Sequence, residues 1–240
     1  MLARGLTVLV GLFASLALFL AVSSSAHAAQ LTAAGDPIVG IAATVIGGNS
    51  TAATAGTGAN QFPAGEPPSS AIDQKFQQPY TTAGTKYLNF GAGASGVTSA
   101  TKGVGTGFYV TPAVGASIAN AIQVATANDA AERDPLTVSI EGSNATGANL
   151  ALGSSWTLIA ASVNLGIDAE TPRYTQGPVV LFANTTAFTS YRVLVQSQRG
   201  VGNSVQYGEM NLFNIPEPAS LASLAFGAVS MVAAVRRRRA

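Results

Sequence analysis

The sequence contains no cysteine, and its only histidine, His27, lies near the amino end. The remainder of the chain therefore has no thiol nucleophile, no serine–histidine pair and no histidine or cysteine ligand for zinc. An exported protein of this composition must also be stable without disulfide bonds. These absences exclude the most common classes of hydrolase and the zinc enzymes.

Charged residues are scarce as well, at 10% of the chain. Between residues 29 and 214, seven basic and ten acidic side chains give a net charge of −3. Domains that bind nucleic acid usually gather lysines and arginines into a basic stripe. This segment has no such stripe, so nucleic acid is not an expected partner.

A sustained helical period is also missing between residues 29 and 214, although 113–121 could hold a turn of helix. Strand-like runs recur instead, with turn residues between them. They lie at 37–44, 86–90, 107–111, 121–127, 136–142, 156–161, 178–182, 191–197 and 206–213. The Gly- and Thr-rich stretch 47–65 is predicted to be a long polar loop. Many short strands and few helices predict an all-β fold, a β-sandwich of the jelly-roll type.

Two of these runs carry specific expectations about burial. In 136–142, apolar Val138 and Ile140 alternate with polar Ser139 and Glu141, which predicts one buried and one solvent-exposed face. The run 179–182 is apolar throughout and is expected to be covered on both sides. Trp156 heads another apolar run and is expected in the core or at a sheet edge rather than as a ligand platform.

The amino end has the pattern of a secretory signal peptide. Arg4 precedes an uncharged apolar run at 6–22, and Ala26 and Ala28 form a small-x-small cleavage site for signal peptidase. Cleavage is predicted after Ala28, with an uncleaved membrane anchor as the alternative. We therefore expect an exported chain whose first 28 residues form an apolar helix and are removed.

The carboxyl end has three parts in order: the motif Pro216, Glu217 and Pro218, an uncharged apolar run at 219–235, and the cluster Arg236, Arg237, Arg238 and Arg239. As a helix the apolar run would span about 25 Å, enough for a thin hydrocarbon core. The arginines would stay in the cytoplasm by the positive-inside rule, which leaves the main domain outside. A permanent tail anchor and a transient one are both compatible with this pattern.

This order of parts resembles the PEP-CTERM sorting signal of Gram-negative bacteria that make extracellular polysaccharide. The resemblance implies that the chain is held transiently in the inner membrane, cut by an exosortase and passed to the cell surface or extracellular matrix. It divides the chain into a signal peptide at 1–28, a partly disordered Gly/Ala/Ser/Thr-rich segment at 29–66, a folded domain at 67–213 and the sorting signal at 214–240.

The folded domain has a second resemblance, carried by seven segments in order: 71–73, 85–90, 126–135, 141–144, 156–159, 191–192 and 203–210. Together they are similar to the discoidin-like, coagulation-factor type C domains of the galactose-binding superfamily. The resemblance implies a β jelly roll that presents binding loops at one end. Within 126–135, Arg133 is expected to bridge Asp129 or Asp134 and so to hold the loop in shape.

Many relatives of this kind hold one structural calcium ion, and by position the resemblance assigns its ligands to Asp73, Thr85 and Glu209. Carboxylate and hydroxyl oxygens are suitable ligands for calcium. The segment 74–84 is longer than the family's short turn and lacks a glycine directly after Asp73. A dry ion pair, Asp73 with Lys86 or Glu209 with Lys75, is therefore kept as the alternative.

A polysaccharide is the expected ligand, with Phe76, Tyr80, Arg173 and Tyr174 as the candidate binding residues in the loops. A structural matrix or adhesion protein with no specific sugar ligand is the alternative. An enzyme is not expected: the one carboxylate cluster, Asp129, Glu132 and Asp134, lies in a turn-forming loop on a small sandwich without an evident cleft.

Overall fold

The computed structural model describes residues 28–75 and 86–216. These residues form fourteen strands: β1 Ala29–Gln30, β2 Ile38–Ala42, β3 Thr51–Ala52, β4 Thr54–Ala55, β5 Gln61–Phe62, β6 Tyr87–Asn89, β7 Gly107–Val110, β8 Ala121–Ala125, β9 Pro135–Ser143, β10 Thr157–Asn164, β11 Val180–Leu181, β12 Ser190–Gln198, β13 Val205–Tyr207 and β14 Glu209–Asn214. The helical elements of the described part are four short 3-10 turns, at Pro68–Ala71, Ala131–Arg133, Gly147–Ala151 and Gly153–Ser155.

Two sheets face each other. The larger has the order β10-β9-β12-β7-β2-β3 and the smaller the order β1-β14-β8-β11. Every pairing within these two sheets is antiparallel. Two small pairs, β6 with β13 and β4 with β5, complete the described strands. The all-β sandwich predicted from the sequence is confirmed.

The core lies between the two sheets and is built from the apolar positions of alternating strands. The larger sheet contributes side chains such as Phe108, Ile140 and Val193, and the smaller sheet contributes Ile122 and Leu212. All five are fully buried. The alternation in the central strands therefore predicted correctly which residues face the core.

The polar side of β9 is buried too, which corrects the expectation of a solvent-exposed face. Ser139 and Glu141 have no exposed surface, and neither does Arg192 on the neighbouring strand β12. The Arg192 Nε donates to Glu141 Oε2 at 2.7 Å, and the pair is covered by residues 47–50 and by the Trp156 ring. A paired charge can be buried in this way because each partner satisfies the other.

The expectation for 179–182 was also wrong, because β11 has only two residues and lies at the edge of the smaller sheet. Val180 and Phe182 pack against the core, whereas Val179 and Leu181 remain 44% and 66% exposed. An edge strand without a third layer above it can bury one face only.

Three elements differ locally from those predicted from the sequence. The stretch 47–65 contains three two-residue strands, β3 to β5, rather than loop alone. Residues 113–121 form no helix, and Ser117 instead pairs with Phe188 in an isolated bridge. The last predicted strand is divided into β13 and β14 at Gly208, whose amide bonds to Ala125 O.

The chain divides into two units, one of Ala29–Asn214 and one of Met1–Ala28 with Ile215–Ala240. The helices predicted for the two ends, Ala26 of the cleavage site, and the sorting-signal residues from Glu217 to Arg239 lie outside the described residues. Ala28 and Pro216 are the first and last residues described there. Over residues 28–75 and 86–216, no helix is long and apolar enough to cross a bilayer.

Candidate functional site

Loops at one end of the sandwich meet around the carboxyl end of β8 and the start of β14, and we call this region the loop end. It comprises Glu66, Lys86 and the segments 73–75, 126–134, 168–177 and 199–209. Main-chain hydrogen bonds join these segments: the Thr126 amide donates to Thr175 O at 2.9 Å, and the Gly208 amide donates to Ala125 O at 2.8 Å. Segments that are distant in sequence are thereby held at one end of the sandwich.

Two of the three predicted calcium ligands are brought together here, and the third, Thr85, lies outside the described residues. Burial and the neighbouring charge of Asp73 raise the pKa of Glu209 from 4.5 to about 8. Its Oε2 accepts a hydrogen bond from Asn211 Nδ2 at 3.2 Å. Its Oε1 is buried and has no hydrogen-bond partner within the described structure. Glu209 is thus a buried carboxyl group beside a second carboxyl, and the Gln74 main-chain amide also lies near enough to affect its pKa.

The dry ion pairs considered as an alternative, Asp73 with Lys86 and Glu209 with Lys75, do not occur among the described salt bridges. Asp73 instead accepts a hydrogen bond from the Lys75 amide at 3.0 Å and lies 3.7 Å from its Nζ. That lysine side chain is 70% exposed, so its charge is well screened by water. In the described part of the chain, buried Glu209 therefore has no basic partner, in agreement with the raised pKa of its carboxyl.

The arrangement suits a hard cation, because an ion between two carboxylates removes their repulsion and supplies the missing partner for Glu209 Oε1. No group of three or more His, Cys, Asp or Glu side chains that could hold a metal occurs in residues 28–75 and 86–216. A bound ion would take its further ligands from main-chain carbonyls, hydroxyls or water, as calcium commonly does.

A second polar cluster surrounds Lys86 at the start of β6. Its Nζ lies 2.8 Å from Asp129 Oδ1, 3.0 Å from Gln206 Oε1 and 3.6 Å from Glu66 Oε1. Burial raises the pKa of Glu66 in spite of the nearby lysine. Burial acts in the same direction on Asp129, but hydrogen bonds from Lys86 and Gln206 outweigh it and lower the pKa of that carboxyl.

A third cluster clamps the loop after β8, with partners that differ from those expected. Asp134 is fully buried and accepts bonds from Arg173 at 2.5 and 2.6 Å and from Arg199 at 3.0 Å. Arg133, expected to bridge Asp129 or Asp134, forms no ion pair within the described structure and approaches Gln206 Oε1 at 3.5 Å. The turn Ala131–Arg133 follows a left-handed residue, Ala130, which gives Arg133 and Asp134 different environments.

Of the candidate sugar-binding residues, Arg173 and Tyr174 lie at the loop end, while Phe76 and Tyr80 fall outside the described residues. The guanidinium of Arg173 is occupied by Asp134 and by Ala127 O. Tyr174 is 40% exposed and has φ +54°, a left-handed conformation that is uncommon for tyrosine. Tyr174 is thus the more exposed of the two described candidates.

Two carboxylates of the cluster in 129–134 are already paired with basic side chains. Asp134 lies between two arginines and Asp129 contacts Lys86, so each is held by a cation of the domain itself. No sequence pattern indicated the Asp134 pairings, because Arg173 and Arg199 are 39 and 65 positions from Asp134. From the sequence, Lys86 was singled out as a partner of Asp73 rather than of Asp129.

The net charge of the domain is concentrated at the loop end. Eight acidic residues, Glu66, Asp73, Asp129, Glu132, Asp134, Asp168, Glu170 and Glu209, lie there with five basic residues, Lys75, Lys86, Arg133, Arg173 and Arg199. The other four charged residues of the Ala29–Asn214 unit are Asp36, Lys102, Glu141 and Arg192, which balance each other. The net charge of −3 therefore belongs to this one end.

The fold and the site together place the protein in a structural class, the antiparallel β-sandwiches whose polar clusters lie on the loops at one end. Solved structures with a similar fold include carbohydrate-binding modules of family 32. No protein-family model matches the sequence, and no curated protein matches it significantly.

Three of these structures illustrate the similarity. The family 32 module of Clostridium perfringens NanJ, solved with galactose, has a TM-score of 0.45 and 11% identity over 78% of this chain and 100% of its own. A Streptococcus pneumoniae β-galactosidase (BgaA) structure has a TM-score of 0.48 and 9% identity over 78% and 98% of the two chains. A chitosan-binding module from a Paenibacillus chitosanase/glucanase has a TM-score of 0.42 and 12% identity over 78% and 100%. Likeness at this level does not transfer a ligand to this chain.

Proposed function

We propose that this chain is an exported, non-catalytic module that binds polysaccharide through the loop end. The observation that carries the proposal is that a rigid sandwich brings exposed polar side chains and the partly exposed Tyr174 onto loops at the same end. Asp129, whose side chain is 52% exposed, offers acceptors for hydroxyl groups, and Tyr174, which is 40% exposed, offers an aromatic side chain. Sugar rings present this combination of hydroxyls and an apolar face.

The charge of the loop end narrows the class of sugar. The formal net charge of −3, which one bound calcium ion would reduce to −1, disfavours polyuronates and other acidic glycans at low ionic strength and favours amine-bearing ones. The exposed carboxylates of Asp129, Asp168 and Glu170 can accept bonds from hydroxyl or ammonium groups. Neutral or amine-bearing polysaccharides are therefore the proposed ligands.

A glycan array that contains neutral, amine-bearing and uronate polymers, probed with and without calcium, tests this function. We expect retention on the first two groups and none on the uronates. Replacing Tyr174 with alanine is expected to weaken that retention by at least about tenfold, the effect of losing roughly 1.4 kcal/mol of binding free energy.

The matched control is Val114→Ala. Val114 is an exposed residue that follows the carboxyl end of β7, at the end of the sandwich opposite to the loop end. This variant should bind as the unaltered protein does. Absence of retention on every glycan, combined with concentration-dependent assembly, would instead favour the structural matrix or adhesion role.

We further infer that the carboxylate pair of Asp73 and Glu209 holds one calcium ion. The support is the unpartnered buried Oε1 of Glu209 and the raised pKa of its carboxyl. Calcium at a hundredfold excess over its dissociation constant would add about 2.7 kcal/mol to the free energy of unfolding. For a domain of this size the melting temperature would rise by roughly 5–10 °C.

The same pair predicts a pH dependence in the presence of a calcium chelator. The pKa of Glu209 is about 8 in the folded state, above its ordinary 4.5, so the folded state binds more protons. Stability due to this group is present below pH 4.5 and is lost as the pH rises through 8. Urea unfolding in chelator should show this loss, and calcium should abolish it.

Glu209→Gln is the control for both measurements, because it keeps the size of the side chain and removes the charge. This variant should show neither the calcium shift nor this component of the pH dependence. An unaltered protein whose melting temperature is the same in calcium and in chelator would exclude the ion at this site.

We also propose that the two ends are sorting signals processed by signal peptidase and an exosortase, which deliver the domain to the cell surface or matrix. The support is the order Pro216, Glu217, Pro218, apolar run and arginine cluster in the sequence. Mass spectrometry of protein recovered from cells and medium should show chains that start near Ala29 and end near Pro218. Recovery of the intact 240-residue chain from the cytoplasm would contradict the proposal.

A further inference from the structure

The flank of the sandwich formed by the outer strands β10 and β11 is uncharged, and we call it the neutral flank. No charged residue occurs in 142–167 or in 174–191, the two segments that contain these strands. The loop end, in contrast, carries the domain's net charge of −3.

Strand β10 leaves a free main-chain edge on this flank. It is the outermost strand of the larger sheet and pairs only with β9. No other main-chain hydrogen bond to residues 157–164 occurs in the described part of the chain. Edge strands are normally protected by charged residues or proline, and β10 has neither. Two register shifts in its pairing with β9 are the only protective feature it shows.

Apolar side chains are exposed along the same flank. Leu158 on β10 is 47% exposed, and Val179 and Leu181 at β11 are 44% and 66% exposed. The opposite faces of both strands, including Ile159 and Val180, already pack on the core. A free strand edge next to exposed apolar side chains is typical of a surface that pairs with another strand.

We propose that the partner is a second copy of this chain, paired through β10 to β10 about a two-fold axis. An antiparallel strand pair is self-complementary, so each copy supplies the donors and acceptors that the other lacks. The neutral flank brings no like charges together, whereas contact between two loop ends would oppose charges of the same sign. Because the two register shifts shorten the regular part of the edge, the pairing is weak. It stops at two copies because each chain has one β10 edge, which the two-fold pairing uses.

Sedimentation of the full chain in mild detergent tests the pairing at concentrations from about 1 μM to 1 mM, the range of weak association. Ala161 is exposed near the middle of β10. Ala161→Lys places two ammonium groups near the two-fold axis and should raise the dimer dissociation constant by at least about tenfold.

Ala52→Lys is the matched control, since it makes the same change at an exposed position of β3, the other edge strand of the same sheet. It should leave the dimer intact, and because all variants share the same apolar ends, detergent effects cancel. Thr157→Lys serves as a second variant on β10 if Ala161→Lys does not fold. A protein that is monomeric throughout, or a dimer that the β10 variants do not weaken more than Ala52→Lys, would overturn the proposal.

Discussion

A chain that begins at Pro67 will not fold cooperatively, although the second sequence resemblance starts there. The missing residues include β2, which lies inside the larger sheet between β7 and β3. They also include β1, which extends the smaller sheet beyond β14. Ile41 on β2 is fully buried, and Gly40 packs so closely that a side chain there would meet Pro68 and Tyr87.

The expected loss in the free energy of unfolding exceeds the whole stability of an ordinary domain. Truncating a single large buried side chain costs about 2–5 kcal/mol, and a whole domain is stable by only about 5–15 kcal/mol. Removing β2 uncovers β7 along its length and also removes residues 47–50, which cover the Glu141–Arg192 pair.

Urea unfolding followed by circular dichroism is the measurement, with a chain that begins at Ala29 as the control. The control should unfold in one cooperative transition, and the shorter chain should show none. A shorter chain with a transition of equal steepness would show that residues 29–66 are dispensable and that a domain boundary at residue 67 is correct.

The sequence allowed the class of fold to be predicted because the central strands obey local alternation. Val138 and Ile140 face the core as their period-2 pattern indicates, and Val193 and Val195 do the same on β12. Such an alternation can be recognised in the sequence of a single strand, without knowledge of the strand that it pairs with. The edge strand β11 was mispredicted because an apolar run does not show whether a second layer covers it.

The buried polar face of β9 could not be predicted, because its covering comes from distant parts of the chain. Gly47 is 94 positions from Glu141, and Gly48 is 144 positions from Arg192. A polar residue in an alternating strand is normally exposed, and only a specific partner reverses that rule. The three clusters of the loop end were hard to predict for the same reason, apart from Asp73 and Glu209, which the resemblance had placed together.

Replacing Arg192 with leucine will lower the free energy of unfolding by about 3–5 kcal/mol, because Glu141 is left buried without its counter-charge. Arg192 and Glu141 have no exposed side-chain surface. Arg192 Nη1 also donates to Gly48 O at 2.8 Å and to Ser50 Oγ at 2.9 Å. Its guanidinium lies 4.8 Å from the centre of the Trp156 ring, a cation–π contact that the substitution removes as well.

Urea unfolding at neutral pH measures the effect, and Arg133→Leu is the matched control. Arg133 is partly buried but forms no ion pair in the described structure, so its loss should cost about 1 kcal/mol or less. The double variant Glu141→Leu with Arg192→Leu should be more stable than Arg192→Leu alone, since it removes the unpaired charge together with its partner. If the double variant instead lost the sum of the two single effects, the ion pair would contribute nothing as a pair. The stability of the covered face would then come from the packing of residues 47–50 and Trp156 alone.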